Sequence, residues 1–141
     1  MIPKFKAYDL NEKEWIDIRY IELRDDGSLW YVQAWDECER DIDPPYFEED
    51  LGKTWVLMQS TGLFDKNGKE IFEGDILKVF VLGDEGAIAK VIFKNGMFGI
   101  EDDMHGYGYD KGLYSLHQIL SLRDAEIIGN RFEHPHLLGE D

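Results

Sequence analysis

Recurrent turn signals limit what this chain can fold into. Asp25-Asp26-Gly27-Ser28, Asp65-Lys66-Asn67-Gly68-Lys69, Glu73-Gly74-Asp75 and Asn95-Gly96 interrupt short runs in which polar and apolar residues alternate. Alternation with period two puts every second side chain on one face of a strand, and runs this short leave no room for long helices. Residues 4–8 alternate, the polar stretch 9–14 breaks the pattern, and Trp15 to Tyr20 resumes it. Gly27 supplies the positive φ of a tight turn, and Leu29 to Trp35 supplies a returning strand. An antiparallel meander over 4–35 is expected.

The second half is punctuated more strongly. Asn67-Gly68 between extended runs predicts a two-residue hairpin turn with positive φ at both central residues. On that reading Gly68→Val is destabilising, whereas Gly112, in the Gly- and Tyr-rich stretch 106–114, tolerates the same change. A turn at 73–75 feeds a strand over 76–82, and strands over 87–94 and 97–101 flank Asn95-Gly96. Leu116, Ile119 and Leu120 recur at helical spacing, so a short helix is expected over 113–120, followed by a closing strand over 125–129. The tail should be ordered where Phe132, Leu137 and Leu138 find a surface. The fold class expected is mostly β with little helix: an antiparallel N-terminal meander plus a small C-terminal SH3-like β-barrel over 61–130. A barrel avoids long unpaired edges.

Between these halves, residues 36–50 carry eight acidic residues, one arginine and Pro44-Pro45. Two prolines remove backbone donors, so a loop or arm is expected, pinned by Tyr46, Phe47 and Leu51. It divides one 1–141 unit into sub-lobes of about 1–60 and 61–141. Acidity is general: 15 acidic residues stand against 7 basic ones in the first part and 15 against 8 in the second.

The formal charge of −15 argues against direct nucleic-acid binding, which uses clustered Lys and Arg to displace counterions, and against anionic membranes. The opening MIPKFKAYD lacks the basic-then-apolar pattern of a secretion signal, and no apolar run is long enough to span a bilayer as a helix. A cytoplasmic protein is expected. The single Cys38 has no internal disulfide partner, and its mostly acidic neighbours are not the setting that activates a thiol.

Residues 61–79, TGLFDKNGKEIFEGDILKV, resemble the core signature of the YopX family of phage and prophage proteins. Phe5 to Asp9 resembles that family's aromatic-Asp opening, Val56 to Gln59 its lead-in, and Ile127 to Asn130 with Pro135 to Leu138 its closing segment. The resemblance implies a mostly β fold with a C-terminal barrel, and a phage or prophage origin acting in the host cytoplasm. It implies no activity and no catalytic residues. The matched positions are those that turn geometry and packing need: Gly62, Gly68, Gly74, Asp75 and Gly129, with Asn67 in the central turn.

Chemistry-bearing residues give no enzyme pattern. His134-Pro135-His136 has the close spacing of a metal-ligating pair but lacks an evident third ligand and sits in the tail, so solvated histidines and no metal are expected. His105 lies beside Asp102 and Asp103 without a nucleophile, and His117 falls on the short helix. The carboxylate pairs lack the ligand spacing of a calcium loop, and the glycines at 96–99 and 106–108 are not followed by the Lys-Ser or Lys-Thr of a phosphate loop. No cofactor is expected. Tyr107, Tyr109 and Tyr114 are the candidate interface, joined by Trp30, Tyr31 and Trp35 if these are not simply core. The function expected is a non-catalytic phage accessory protein acting through contacts with a protein partner or with itself. The alternative is a decoy whose carboxylates imitate DNA phosphates and occupy a basic host nuclease or regulator.

Overall fold

The computed structural model describes residues 4–80, 86–94, 96–102 and 112–138, with 102 and 112–114 by backbone alone. The protein is mostly β: twelve strands and one α-helix among the described residues, in antiparallel sheets. The chain divides into two compact units, Lys4–Met58 and the residues from Gln59 onward.

The first unit holds β1 (Phe5–Asp9), β2 (Glu14–Ile16), β3 (Ile18–Leu23), β4 (Leu29–Ala34), β5 (Tyr46–Phe47) and the start of β6 (Trp55–Phe64). β1 and β2 form a hairpin, with Tyr8 opposite Trp15, and β1 has β6 on its other side. β3, β4 and β5 form a separate sheet in that order. The expected meander over 4–35 is therefore two hairpins in two sheets. The chain changes sheet at Asp17, whose carbonyl accepts the N–H of Trp35 at 2.9 Å. Alternation from Trp15 to Tyr20 runs unbroken through that change because it reports the facing side and not the pairing partner.

Ala7, Val32 and Trp55 are buried at the centre of this unit, with Ile16, Ile18, Ile21, Leu29, Tyr46 and Leu57 packed around them. Trp55 has no exposed surface, and its indole N–H donates to the Phe47 carbonyl at 2.8 Å, which satisfies the one polar atom the burial would orphan. Core packing does not account for every tryptophan: Trp15 and Trp30 are 44% and 46% exposed. Glu22 pairs with Tyr31 and Leu23 with Leu29, so Trp30 is the extra residue of a bulge, and its ring packs edge to face on Tyr31. The acidic stretch 36–50 is held by a bridge between Trp35 and Asp41, by the Gln33 amide donating to the Ile42 carbonyl at 2.9 Å, and by β5. Leu51 is exposed and does not pin it.

The second unit holds the rest of β6, β7 (Glu70–Phe72), β8 (Asp75–Val79), β9 (Ala87–Lys94), β10 (Met97–Asp102), β11 (Gly112–Ser115), α1 (Leu116–Leu122) and β12 (Ala125–Asn130). Its main sheet has the order β11-β10-β9-β8-β12, so the final strand returns to pair with β8. Ile71, Leu77, Val79, Val91, Ile100, Leu116, Ile119 and Ala125 fill its core. The described ladders leave β11 and β12 as the ends of this sheet, and they do not join the two into the closed barrel expected from sequence. Residues 112–115 pair with β10 instead of belonging to a loop or to the helix, which makes Gly112 a strand residue. The helix begins one residue after Ser115, whose hydroxyl caps it by accepting the Gln118 N–H.

The turn at 65–69 is a hairpin turn of a different kind from the one expected. Only Gly68 is left-handed, at φ 79°, and the sole described non-glycine residues with positive φ are Lys13 and Glu39, so Asn67 is not. Asp65 explains the difference. Its Oδ1 accepts the N–H groups of Asn67 and Lys69, each at 2.9 Å, which closes the loop around a single left-handed residue. Its Oδ2 accepts the Ile127 N–H at 3.0 Å, tying the turn to β12, and the Lys66 N–H reaches the Ala125 carbonyl at 2.9 Å. Burial pushes the Asp65 carboxyl up, but the three backbone donors outweigh it and hold the group below its ordinary value.

The tail is likewise built on local acceptors. Asn130 Oδ1 accepts the N–H groups of Phe132 and Glu133, and His134 Nδ1 accepts the Asn130 N–H at 3.2 Å. The His134 ring lies where a Cβ on Gly129 would stand, 2.7 Å from Nδ1, so this histidine is packed rather than solvated and requires glycine at 129. Phe132, Leu137 and Leu138 are all half-buried, as expected.

Two predictions follow from the 65–69 turn. Gly68→Val should lower stability by about 1–3 kcal/mol through backbone strain alone, since no atom lies within 4 Å of the added Cβ. Asn67→Val should cost much less in the same denaturant titration; equal costs would restore the turn with two left-handed residues. Asp65→Asn should cost about 1–3 kcal/mol by leaving partly buried N–H groups short of a charged acceptor. Because the folded carboxyl is held below its ordinary 3.8, the ionised form's contribution is complete above that value and is lost as pH falls through the lower folded value. The stability gap between parent and variant should therefore be flat at neutral pH and narrow in acid; a gap that widens in acid contradicts the assignment.

Candidate binding cleft

Asp9 closes its own turn in the way Asp65 does. Its Oδ1 accepts the N–H groups of Asn11 and Glu12 at 2.9 Å, while Oδ2 accepts the Tyr46 hydroxyl at 2.9 Å from β5. The turn projects Glu12 and Glu14 outward. Across from it, Asp36 Oδ1 accepts the N–H groups of Cys38 and Arg40, and Oδ2 accepts the Arg40 guanidinium at 3.2 Å. The N–H of Arg40 is the largest influence holding the Asp36 carboxyl below its ordinary value.

These two turns flank a cleft of about 360 Å³ within the first unit. Eleven residues line it. Six are carboxylates, Asp9, Glu12, Glu14, Asp17, Asp36 and Glu37, and the others are Trp15, Ile16, Trp35, Ile42 and Tyr46. No lysine or arginine is among them. Tyr46 registers the resulting field: burial first, then its bond to Asp9 and the charges of Asp9, Glu12 and Glu14, push its hydroxyl well above the ordinary tyrosine range. Trp15 meets buried Tyr8 edge to face with centroids 5.1 Å apart, and the Arg19 guanidinium stacks over Trp35 at 4.3 Å while pairing with Asp41. The walls are thus fixed by packing and the rim is negative, an arrangement that attracts cations carrying some apolar surface.

The residues singled out in sequence do not converge on this cleft. Tyr107 and Tyr109 lie outside the described residues, and Tyr114 is known only as a β11 position opposite Ile100. Trp35 alone of the three companions lines the cleft, while Tyr31 packs edge to face with Tyr20, Trp30 and Phe47 on another surface. Gly68, Gly74 and Asp75 serve turns in the second unit, where the Asp75 carboxylate accepts the Phe72 N–H at 2.8 Å, whereas Gly62, expected in a turn, lies within β6 with a positive φ at the register shift between Ser60 and Phe64. Cys38 is exposed. Among the described residues no group of three or more His, Cys, Asp or Glu side chains is arranged to hold a metal, and no helix is long and apolar enough to cross a membrane. The cleft carboxylates were hidden in sequence by the general acidity, although Asp9-Leu10-Asn11-Glu12 carries the signature of an Asp-closed turn.

Comparison with known proteins places the whole chain. The family model described as YopX protein matches residues 4–139. Among solved structures, the crystal structure of protein EF1440 from Enterococcus faecalis is 30% identical, with a TM-score of 0.64 over 98% of this chain and 99% of that one. The crystal structure of protein YopX from Bacillus subtilis is 16% identical, with a TM-score of 0.63 over 94% of this chain and 95% of that one. No curated protein sequence matches.

The field in the cleft predicts a silent tyrosine. Tyrosinate absorbance followed while the chain stays folded should show no loss of amplitude around pH 10 on Tyr46→Phe, because Tyr46 does not ionise where ordinary tyrosines do. The same variant should lose about 0.5–1.5 kcal/mol with the bond to Asp9. Loss of one tyrosine's amplitude in that range would mean that Tyr46 is not held in a negative environment.

Proposed function

The chain belongs to the YopX protein family, and on that footing we propose that it is a non-catalytic binding protein whose acidic cleft takes a basic face of a protein partner. The observation that carries the reading is the lining of the cleft: six carboxylates, no cation, and aromatic walls held in place by packing. Carboxylates on short turns suit long-range attraction and registry of a cationic surface. Catalysis by paired carboxyls needs two groups driven apart in pKa around a reacting atom, whereas the rim carboxylates are spread over two turns, the start of β2 and the β2–β3 junction.

A phage or prophage origin and a place in the host cytoplasm are part of the same reading, and they rest on the resemblance carried by residues 61–79. We take the second unit to be a small SH3-like barrel that serves as scaffold. Four successive antiparallel strands, a short helix and a fifth strand returned to the first give the connectivity of such barrels. A second reading is favoured by the charge of −15: a decoy whose carboxylates imitate nucleic-acid phosphates.

Affinity capture from host extract separates these. The parent should retain a protein that Glu12→Gln/Glu14→Gln loses and that Glu39→Gln/Glu49→Gln, a charge-matched pair outside the cleft, keeps. Release by moderate salt together with competition by duplex DNA would identify the decoy. Identical captures by the parent and the Glu12/Glu14 variant would sink the cleft as the binding surface.

A further inference from the structure

A second depression, of about 470 Å³, opens beside the cleft in the same unit. Its character is opposite. Phe5, Ala7, Trp15, Ile16 and Ile18 line it with Lys6, and no carboxylate contributes. Trp15 and Ile16 line both depressions, so the indole stands as a partition between an apolar groove and an acidic cleft. Phe5 and Trp15 remain 37% and 44% exposed, although Ala7 and Tyr8, their neighbours on β1, are buried. The chain's own cations already use these rings: the Lys6 ammonium lies 5.7 Å from the Trp15 ring and the Arg19 guanidinium 4.3 Å from the Trp35 ring.

We propose that groove and cleft form one docking site for an amphipathic basic segment of a partner protein. An apolar side chain of the segment seats beside Phe5 and Ile18, and a Lys or Arg on the same face passes over Trp15 into the carboxylates. The inference rests on the reading of the acidic cleft as a binding surface and adds the chemistry of what binds. Charge complementarity selects the cation. A purely cationic partner leaves Phe5 and Ile18 in water, and a purely apolar one desolvates the rim carboxylates without pairing them, so each depression rejects the partner that would satisfy only the other. In an extended segment, residues two apart share a face at about 7 Å, a spacing that straddles an indole.

Three short synthetic peptides test this on the full chain. The first alternates Leu and Lys on one face, separated by Ser; the second replaces every Leu by Ser; the third replaces every Lys by Ser. The first should bind the parent at least about tenfold more tightly than either of the others. Trp15→Ala, and independently Phe5→Ser at an exposed position, should reduce it to the level of the Lys-only peptide. Glu12→Gln/Glu14→Gln should reduce it to the level of the Leu-only peptide and remove most of its salt dependence, while Glu39→Gln/Glu49→Gln should leave it unchanged. Equal binding of the first two peptides, or no effect of either groove variant, overturns the amphipathic site and leaves the acidic cleft standing. Failure of every Lys-bearing peptide to bind overturns both.

Discussion

Two aspartates do the same work in the two units. Asp65 gives one oxygen to the N–H groups of its own turn and the other to Ile127 of β12; Asp9 gives one oxygen to its own turn and the other to the hydroxyl of Tyr46 in β5. Each carboxylate converts a local turn into a long-range tie, which small sheets with few core residues need. A carboxylate suits this role because it is acceptor-only and offers several lone pairs, so it can satisfy N–H groups that a tight turn leaves without a ladder partner. The register of β6 against β7, and of β12 against β8, depends on the Asp65 tie. The position of Glu12 and Glu14 at the cleft depends on Asp9.

The acidity of the chain therefore divides into two kinds. Asp9, Asp26, Asp36, Asp65 and Asp75 accept backbone N–H groups and belong to the architecture. Glu12, Glu14, Asp17 and Glu37 line the cleft with no such backbone bond among those described, and their charge is directed at solvent. A count of charges cannot separate these roles. The geometry does: it sets Glu12, Glu14, Asp17 and Glu37 beside Trp15 and Trp35 within a chain that is acidic throughout.

How much of this was readable in the sequence follows from how local each cause is. Turns are local, so Asp25 to Ser28 and Asp65 to Lys69 were legible as turns, and the strands over 87–94 and 97–101 with them. The handedness of Asn67 was not, because it is decided by which N–H groups the Asp65 carboxylate captures. The split of Trp15–Tyr20 between two sheets and the outward Trp30 arise from pairing partners distant in sequence. Residues 113–115 alternate well enough for a strand and also precede a helix; Ser115 with Gln118 three residues on was the capping signal that fixes the boundary. The cleft was the least legible feature, since its carboxylates come from residues 9–17 and 36–37 and meet only after β1 to β4 have formed.

The central claim is that cations are received between Trp15 and Trp35. The four indole N–H resonances of the full chain, followed by two-dimensional NMR while arginine amide is titrated in, report on it directly. Trp15 and Trp35 should shift together and saturably, while Trp55, buried against Phe47, and Trp30, on the bulge of β4, stay in place. Movement of Trp30 without Trp15 and Trp35 would put the cation-binding surface on the outer aromatic face of the β3-β4-β5 sheet and contradict the account.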